Sequence, residues 1–309
     1  MFTSALNAAA EQSNWVRWLV TSNSGAANET RAFLETAFIN IRVEKQNEIA
    51  ARIRDDNASR IEATIHELVA HELLRRLQLR PVFEPKLQGK TPDLLFQTAG
   101  ARFISDVFVT HSPLKTVRYI NHRTYEARDT DQPSESRADK IAKTLQGKAE
   151  FYASLGFPIV PLVFLGDRRA LGFGDVEKAC FGITLEEIAL EAAFPENLPR
   201  YRAPVGGLFL PREDLRIPCE NIPAVVSCDW FDTLNRQNPG KRLACRILHR
   251  WSARTPLPVE AFDPLPQVCW DHVSAGGWQP RFTTEPNLVL QFLDTDQIRV
   301  RQYSANAPW

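Results

Sequence analysis

The sequence contains no apolar run long enough to cross a membrane, and it has no excess of either charge. A helix that spans a bilayer needs about 20 consecutive apolar residues, and no stretch approaches that length. Lys and Arg together number 37 and Asp and Glu also number 37, so the formal net charge is zero. A nucleic-acid site would therefore have to be a local patch and not a property of the whole surface.

Cysteine is scarce, and its spacing matches neither a disulfide scaffold nor a zinc site. The five cysteines are spread between Cys180 and Cys269, and no two of them form a Cys-x-x-Cys pair. This pattern argues against a disulfide scaffold and against a zinc site. The first residues carry neither a basic segment nor an apolar signal core. We therefore expect a cytoplasmic protein with reduced thiols and no membrane partner.

Apolar residues make up 44% of the 309-residue chain, which is enough for a full core. Residues 157–165 are nearly all apolar, as in a strand covered on both faces. A helical pattern precedes this run, and we predict another helix over residues 184–193. We predict an α/β fold with a mixed central sheet flanked by helices. The predicted units are an N-terminal helical extension (1–58), a core (59–200) and a strand-containing C-terminal region (201–309).

The strongest helix signal lies between residues 59 and 79. Ser59 and Glu62 have the spacing of a capping box, and no Gly or Pro interrupts the residues that follow as far as Leu79. On a helical wheel the apolar side chains form one broad arc, and Glu67 falls at its edge. A carboxylate at that position can reach into a cleft beside the buried face.

Two short apolar runs separated by a turn follow this helix. The first run begins at Asp93, directly after Pro92, and the second, over residues 102–109, has Asp106 in its middle. We predict a β-hairpin with one carboxylate on each arm. Taken singly, Asp93 fits a turn or capping residue and Asp106 fits a partner for an arginine. Taken together they repel each other, and a divalent cation is the usual reason for such a pair.

The order of these acids resembles the PD-(D/E)XK nuclease superfamily. Its members carry an acid on a helix, a Pro-Asp at the start of one strand and an acid-x-Lys on the next strand. Glu67, Pro92-Asp93 and Asp106 match those features in order. The resemblance implies a restriction-endonuclease-like core that hydrolyses phosphodiester bonds. It also implies that Glu67, Asp93 and Asp106 bind Mg²⁺ or Mn²⁺.

One position departs from the family pattern. Where the family has its lysine this chain has Phe108, which shares a strand face with Asp106. Lys148 and Tyr152 offer a replacement, since some branches carry a Gln-x-x-x-Tyr on the next helix and the chain has lysine in the glutamine's place. We predict both as catalytic residues. The alternative is that Lys148 belongs to a solvated helix face. The helix itself is predicted from apolar residues at helical spacing: Ile141, Leu145, Ala149 and Tyr152.

Two basic segments are candidates for contact with a nucleic acid. Residues 110–134 form a long polar stretch that is either a substrate-facing loop or a solvated one. Residues 235–255 contain six Lys or Arg and no acid. That segment either follows a phosphate backbone or is the solvent-exposed side of a strand that carries Arg246 and Arg250.

Two functions remain open from the sequence. The first is a metal-dependent nuclease, with Mg²⁺ or Mn²⁺ as cofactor and nucleic acid as partner, DNA being favoured over RNA. The second is a catalytically degenerate nuclease fold that serves as a scaffold for nucleic acid or protein, because Phe108 removes the family lysine. A homodimer or another protein partner is compatible with both functions.

Overall fold

The computed structural model describes most of the chain, and the account below is confined to that part. The described residues are 14–55, 57–110, 137–165, 173–182, 207–209, 219–229, 242–250, 253–273, 277–284, 288–293 and 296–302. The predicted loop beyond Thr110 and a predicted helix at 184–193 lie outside these ranges. No helix among the described residues is long and apolar enough to span a membrane.

Six α-helices are described, four of them before the first strand. In chain order they are α1 (Asn14–Thr21), α2 (Gly25–Ile39), α3 (Val43–Ile53), α4 (Ala58–Arg76), α5 (Arg137–Tyr152) and α6 (Phe173–Phe181). Helix α5 confirms the predicted spacing, because its buried residues are Ile141, Leu145, Ala149 and Tyr152.

Eleven β-strands are described, and they form two sheets. They are β1 (Val82–Phe83), β2 (Leu94–Gln97), β3 (Arg102–Ser105), β4 (Val107–Thr110), β5 (Leu162–Leu165), β6 (Ala224–Asp229), β7 (Arg242–His249), β8 (Gln267–Val273), β9 (Gly277–Phe282), β10 (Leu288–Phe292) and β11 (Ile298–Gln302). The small sheet has the order β1-β2-β3, and the large sheet contains β4 to β11.

The large sheet is mixed, which confirms the predicted α/β class. Strands β4, β5 and β6 are parallel, whereas β7 runs antiparallel to β6 and to β10. Alternate side chains of β5 enter two different cores. Leu162 and Phe164 join the N-terminal helices, while Val163 and Leu165 join α5 and α6. The sheet is therefore covered by helices on both faces, and strands from both sides of residue 201 belong to it.

Helix α4 differs from its prediction at both ends and in its burial. Its N-cap is Asn57, whose side chain accepts the backbone N–H groups of Ser59 and Arg60, so the predicted Ser59–Glu62 capping box is wrong. The helix ends at Arg76. Glu67 is not at the rim of a half-buried helix, because the sheet covers one side of α4 and helices α2 and α3 cover the other.

The predicted hairpin is present, with one break. Strands β2 and β3 are antiparallel, with Leu94 opposite Ser105 and Phe96 opposite Phe103. The run over 102–109 does not continue as one strand of one sheet. It pairs with β2 before Asp106 and with β5 after it, so Asp106 lies where the chain passes from the small sheet to the large one.

Arg246 of β7 is only 11% exposed, and Arg250, directly after the strand, is buried. Arg246 forms an ion pair with Glu177 and lies over the ring of Phe173, and Arg250 donates to the carbonyl oxygen of Cys219 at 2.5 Å. Both predictions for these two residues, a phosphate contact and a solvated strand face, are therefore wrong. Each guanidinium is used inside the fold.

Candidate active site

Asp93 and Asp106 are tied to each other through the backbone of the hairpin. The Asp93 N–H donates to Oδ1 of Asp106 at 3.3 Å, and the Val107 N–H donates to Oδ2 of Asp93 at 2.7 Å. Asp93 sits where the chain enters β2 and Asp106 where it leaves β3, and the antiparallel register brings these two ends together. The two carboxylates thus lie next to each other, one on each arm of the hairpin, as predicted.

Helix α5 contributes the predicted lysine and tyrosine to Asp106. The Lys148 ammonium forms an ion pair with Oδ2 of Asp106, and the Tyr152 hydroxyl donates to Oδ1 at 2.9 Å. Lys148 and Tyr152 are four positions apart, so the two side chains leave the helix on the same face. Asp106 is 1% exposed and Lys148 39% exposed, so a partly exposed ammonium is paired with a buried carboxylate.

Phe108 lies on the helix-facing side of β4, as the strand period requires. Its side chain is partly buried and packs against the core that contains Ile141, Leu145 and Tyr152. The ring therefore brings no charge to the side of the strand that it shares with Asp106. The positive charge beside Asp106 comes from Lys148 on the neighbouring helix.

Glu67 approaches from the opposite side of the sheet and is held by an arginine. Arg52 of α3 donates to Oε2 of Glu67 at 3.1 Å and to Oε1 of Glu84 at 2.6 Å. Glu84 follows β1, and its N–H donates to the carbonyl oxygen of Asp93 at 2.8 Å. The charge of Asp93 contributes to a raised pKa of the Glu67 carboxyl group.

The electrostatics of the site are those of crowded, buried carboxylates. Burial, and then repulsion from Asp106, raises the pKa of Asp93 to about 7. Burial, and then repulsion from Asp93, raises the pKa of Glu67 to about 8, although Arg52 opposes the change. Burial and the charge of Asp106 raise the pKa of the Tyr152 hydroxyl, which stays protonated and able to donate. Crowding of this kind is relieved by a cation.

The donor set fits a hard divalent cation in its chemistry. Mg²⁺ commonly binds through one or two carboxylates, with waters and substrate phosphates completing its shell, and Asp93 with Asp106 is such a pair. In the described part of the chain no three His, Cys, Asp or Glu side chains are grouped closely enough to hold one ion. Glu67 is turned toward Arg52, so its predicted role as a metal ligand stays a prediction.

Comparisons of the chain with protein-family models, with curated proteins and with solved structures find no match. The site's chemistry therefore rests on its own geometry. Four of the five predicted residues are in contact, since Asp106 contacts Asp93, Lys148 and Tyr152. The fifth, Glu67, contacts Arg52, and repulsion from Asp93 helps to raise its pKa.

Two charged residues of this region were missed by the sequence analysis. Arg52 lies in the segment where nothing suggested chemistry, and Glu84 follows a strand of only two residues. One signal was present in the sequence. Lys45 and Arg52 are seven residues apart, about two helical turns, and so present two cations on one face of α3.

The raised pKa values predict that the protein loses stability as the pH rises in the absence of divalent metal. Between the ordinary pKa values of Asp93 and Glu67 and their folded values of about 7 and 8, the folded chain holds protons that the unfolded chain has released. Stability therefore falls as pH increases through that window. Urea unfolding in EDTA should show a loss on the order of 2 kcal/mol between about pH 6.5 and 8.5.

Two buried histidines oppose this loss near the lower limit of the window. Burial lowers the pKa of His71 to about 4 and also lowers the pKa of His249, so their contribution to stability rises with pH until the unfolded histidines, whose ordinary pKa is 6.5, have titrated. Asp93→Asn is the informative variant, because it removes one of the two acids and also the repulsion that helps to raise the pKa of Glu67. The stability of this variant should therefore change much less over the same pH window than that of the wild type. Equal slopes for the two proteins would contradict the assignment of these protons.

Proposed function

We propose that this protein is a metal-dependent nuclease with a restriction-endonuclease-like core, acting on phosphodiester bonds, in DNA in preference to RNA. The observation that carries the proposal is the ion pair between Lys148 and Asp106, with Tyr152 on the other oxygen of the same carboxylate. A buried acid that is paired with a half-exposed lysine is an arrangement suited to catalysis at the mouth of a cleft.

The order of elements around the site supports the same proposal. An acid-bearing helix, a hairpin with an acid on each arm, a helix with lysine and tyrosine, and a parallel strand follow one another as α4, β2, β3 with β4, α5 and β5. This is the order expected from the resemblance to the PD-(D/E)XK superfamily. The family lysine is replaced in space and not in sequence.

In this proposal each of the five residues has a role in hydrolysis. Asp93 and Asp106, with Glu67 beside them, would hold Mg²⁺ or Mn²⁺, which supplies polarisation of the phosphate and a lower pKa for the attacking water. The Lys148 ammonium, held by Asp106, orients that water and stabilises negative charge that develops on the phosphate. The Tyr152 hydroxyl keeps the Asp106 carboxylate in position.

The second candidate is a scaffold that keeps this fold without catalysis. It is favoured by one observation, which is that no group of three ligating side chains was found among the described residues. A scaffold that has lost its metal should give no heat on titration with Mn²⁺, whereas the nuclease should bind it.

The decisive experiment uses the wild-type chain. Single-stranded and double-stranded DNA and RNA are incubated with the purified protein in Mg²⁺, in Mn²⁺ and in EDTA. We expect cleavage in one or both metals and none in EDTA. Asp106→Asn protein purified in parallel controls for contaminating nucleases. Cleavage that persists in EDTA, or an absence of both cleavage and Mn²⁺ binding, would refute the nuclease proposal.

A further inference from the structure

Helix α3 turns two positive side chains toward the acids of the site. Lys45 reaches Oε2 of Glu84 at 2.8 Å and Glu48 at 2.9 Å. Arg52, farther along the same helix, reaches the other oxygen of Glu84 and also Glu67. Both cations therefore share Glu84, and Arg52 alone of the two is bonded to Glu67.

Arg52 is placed as a bridge and not as a surface charge. Its two terminal nitrogens bond different carboxylates, at 3.1 Å to Glu67 and 2.6 Å to Glu84, and its side chain is 20% exposed. The guanidinium carbon also lies 5.8 Å from the centre of the Phe83 ring. A planar guanidinium can satisfy two carboxylates at fixed angles, whereas a lysine ammonium offers only a point charge.

The far end of the bridge is anchored to the hairpin. Glu84 adopts a left-handed backbone conformation with φ of 44°, and its N–H is bonded to the carbonyl oxygen of Asp93. A non-glycine residue in that region is strained unless its surroundings hold it there. Arg52 thus connects the carboxylate of α4 to a backbone position that is bonded directly to Asp93.

We propose that Arg52 is a positioning residue that fixes the Glu67 carboxylate on the Asp93 side of the site, so that the N-terminal helices are part of the catalytic unit. The inference rests on the proposed nuclease function. It assigns a role in that function to α3, a helix that lies outside the segment resembling the nuclease family.

The test compares three single variants of the full chain. Arg52→Met removes the bridge while keeping an unbranched side chain of similar length. Arg52→Lys keeps the charge but cannot hold two carboxylates at once. Lys45→Met is the matched control, because it removes a cation of the same helix that contacts Glu84 but not Glu67. Each protein is assayed for kcat, for KM and for Mn²⁺ binding by calorimetry.

We expect Arg52→Met to lower kcat by roughly tenfold or more with KM nearly unchanged, because the bridge orients an acid of the reaction and does not bind substrate. Its Mn²⁺ affinity should fall by at least about fivefold. Arg52→Lys should remain closer to Arg52→Met than to the wild type. Lys45→Met should stay within about twofold of the wild type in every measurement.

Several results would overturn the role of Arg52. One is an Arg52→Met protein with wild-type kinetics. A second is Mn²⁺ affinity in that variant that is unchanged or tighter. A third is full activity in Arg52→Lys, which would mean that only the positive charge of Arg52 is needed. If Arg52→Met does not fold, the kcat and Mn²⁺ affinity of Arg52→Lys decide. If the wild type cleaves no nucleic acid, the proposed function fails, and the Mn²⁺ arm still decides whether Arg52 positions Glu67.

Discussion

The Asp106→Asn protein is expected to cleave nucleic acid on the order of 1,000-fold more slowly than the wild type, equivalent to about 4 kcal/mol of transition-state stabilisation. Asp106 accepts hydrogen bonds from Asp93 and Tyr152 and is paired with Lys148. Asparagine keeps the shape of the side chain but removes its charge. The substitution therefore removes the charge of one of the two carboxylates proposed to bind the metal, and it leaves Lys148 without its counter-ion.

The measurement is a single-turnover cleavage rate at saturating Mn²⁺, with thermal unfolding to show that the variant folds. Asp139→Asn is a suitable control, because Asp139 is an exposed acid on α5 and its loss changes the net charge equally. The control should cleave at the wild-type rate. Retention of more than about a tenth of the wild-type rate by Asp106→Asn would place the chemistry elsewhere.

Lys148→Met is expected to slow cleavage by about 100-fold or more while Mn²⁺ still binds. A positioned lysine that orients the nucleophile or stabilises developing charge contributes on this scale. Because Lys148 is 39% exposed, its loss leaves no large cavity, and the Tyr152 hydroxyl and the Asp93 N–H still hydrogen-bond the Asp106 carboxylate, so we expect the variant to fold with reduced stability. Lys148→Arg, which keeps the charge with a different shape, should recover part of the rate.

Lys140→Met gives the matched comparison, since Lys140 is exposed near the start of the same helix. It should remain within about twofold of the wild type, as an ordinary surface lysine does. If Lys148→Met and Lys140→Met behave alike, Lys148 belongs to a solvated face after all. That result would refute the proposed catalytic role of Lys148 and support the scaffold function.

Local patterns predicted the parts of this fold that local interactions determine. The apolar spacing on α5 was sufficient to identify its buried face, and the two apolar runs around a turn were sufficient to identify the hairpin with Asp93 and Asp106 on its arms. Strand pairing then brings the two acids together without further information. Lys148 and Tyr152 could be predicted as a pair for a similar reason, since residues four positions apart on a helix lie on the same face.

Other features depend on packing between distant segments, which sequence patterns do not specify. The helix wheel gave α4 a polar side, but α2 and α3 cover that side, and Glu67 is buried. Arg52 contacts Glu67 only because α3 packs on α4. Arg246 belongs to a basic run in the sequence, yet inside the fold it forms an ion pair with Glu177 of helix α6. Asn57 and Ser59 both suit an N-cap, and only the structure distinguishes them.

The passage of the chain between two sheets at Asp106 has a mechanical consequence. Residues 158–165 are bonded to the chain on both sides of this junction: Ile104 of β3 bridges Ile159, β4 pairs with β5, and the Leu162 N–H donates to the Asp106 carbonyl oxygen at 2.9 Å. The hairpin and the large sheet are therefore braced against each other where the two aspartates meet. A substitution that loosened residues 158–162 would change the spacing of Asp93 and Asp106 without contacting either carboxylate.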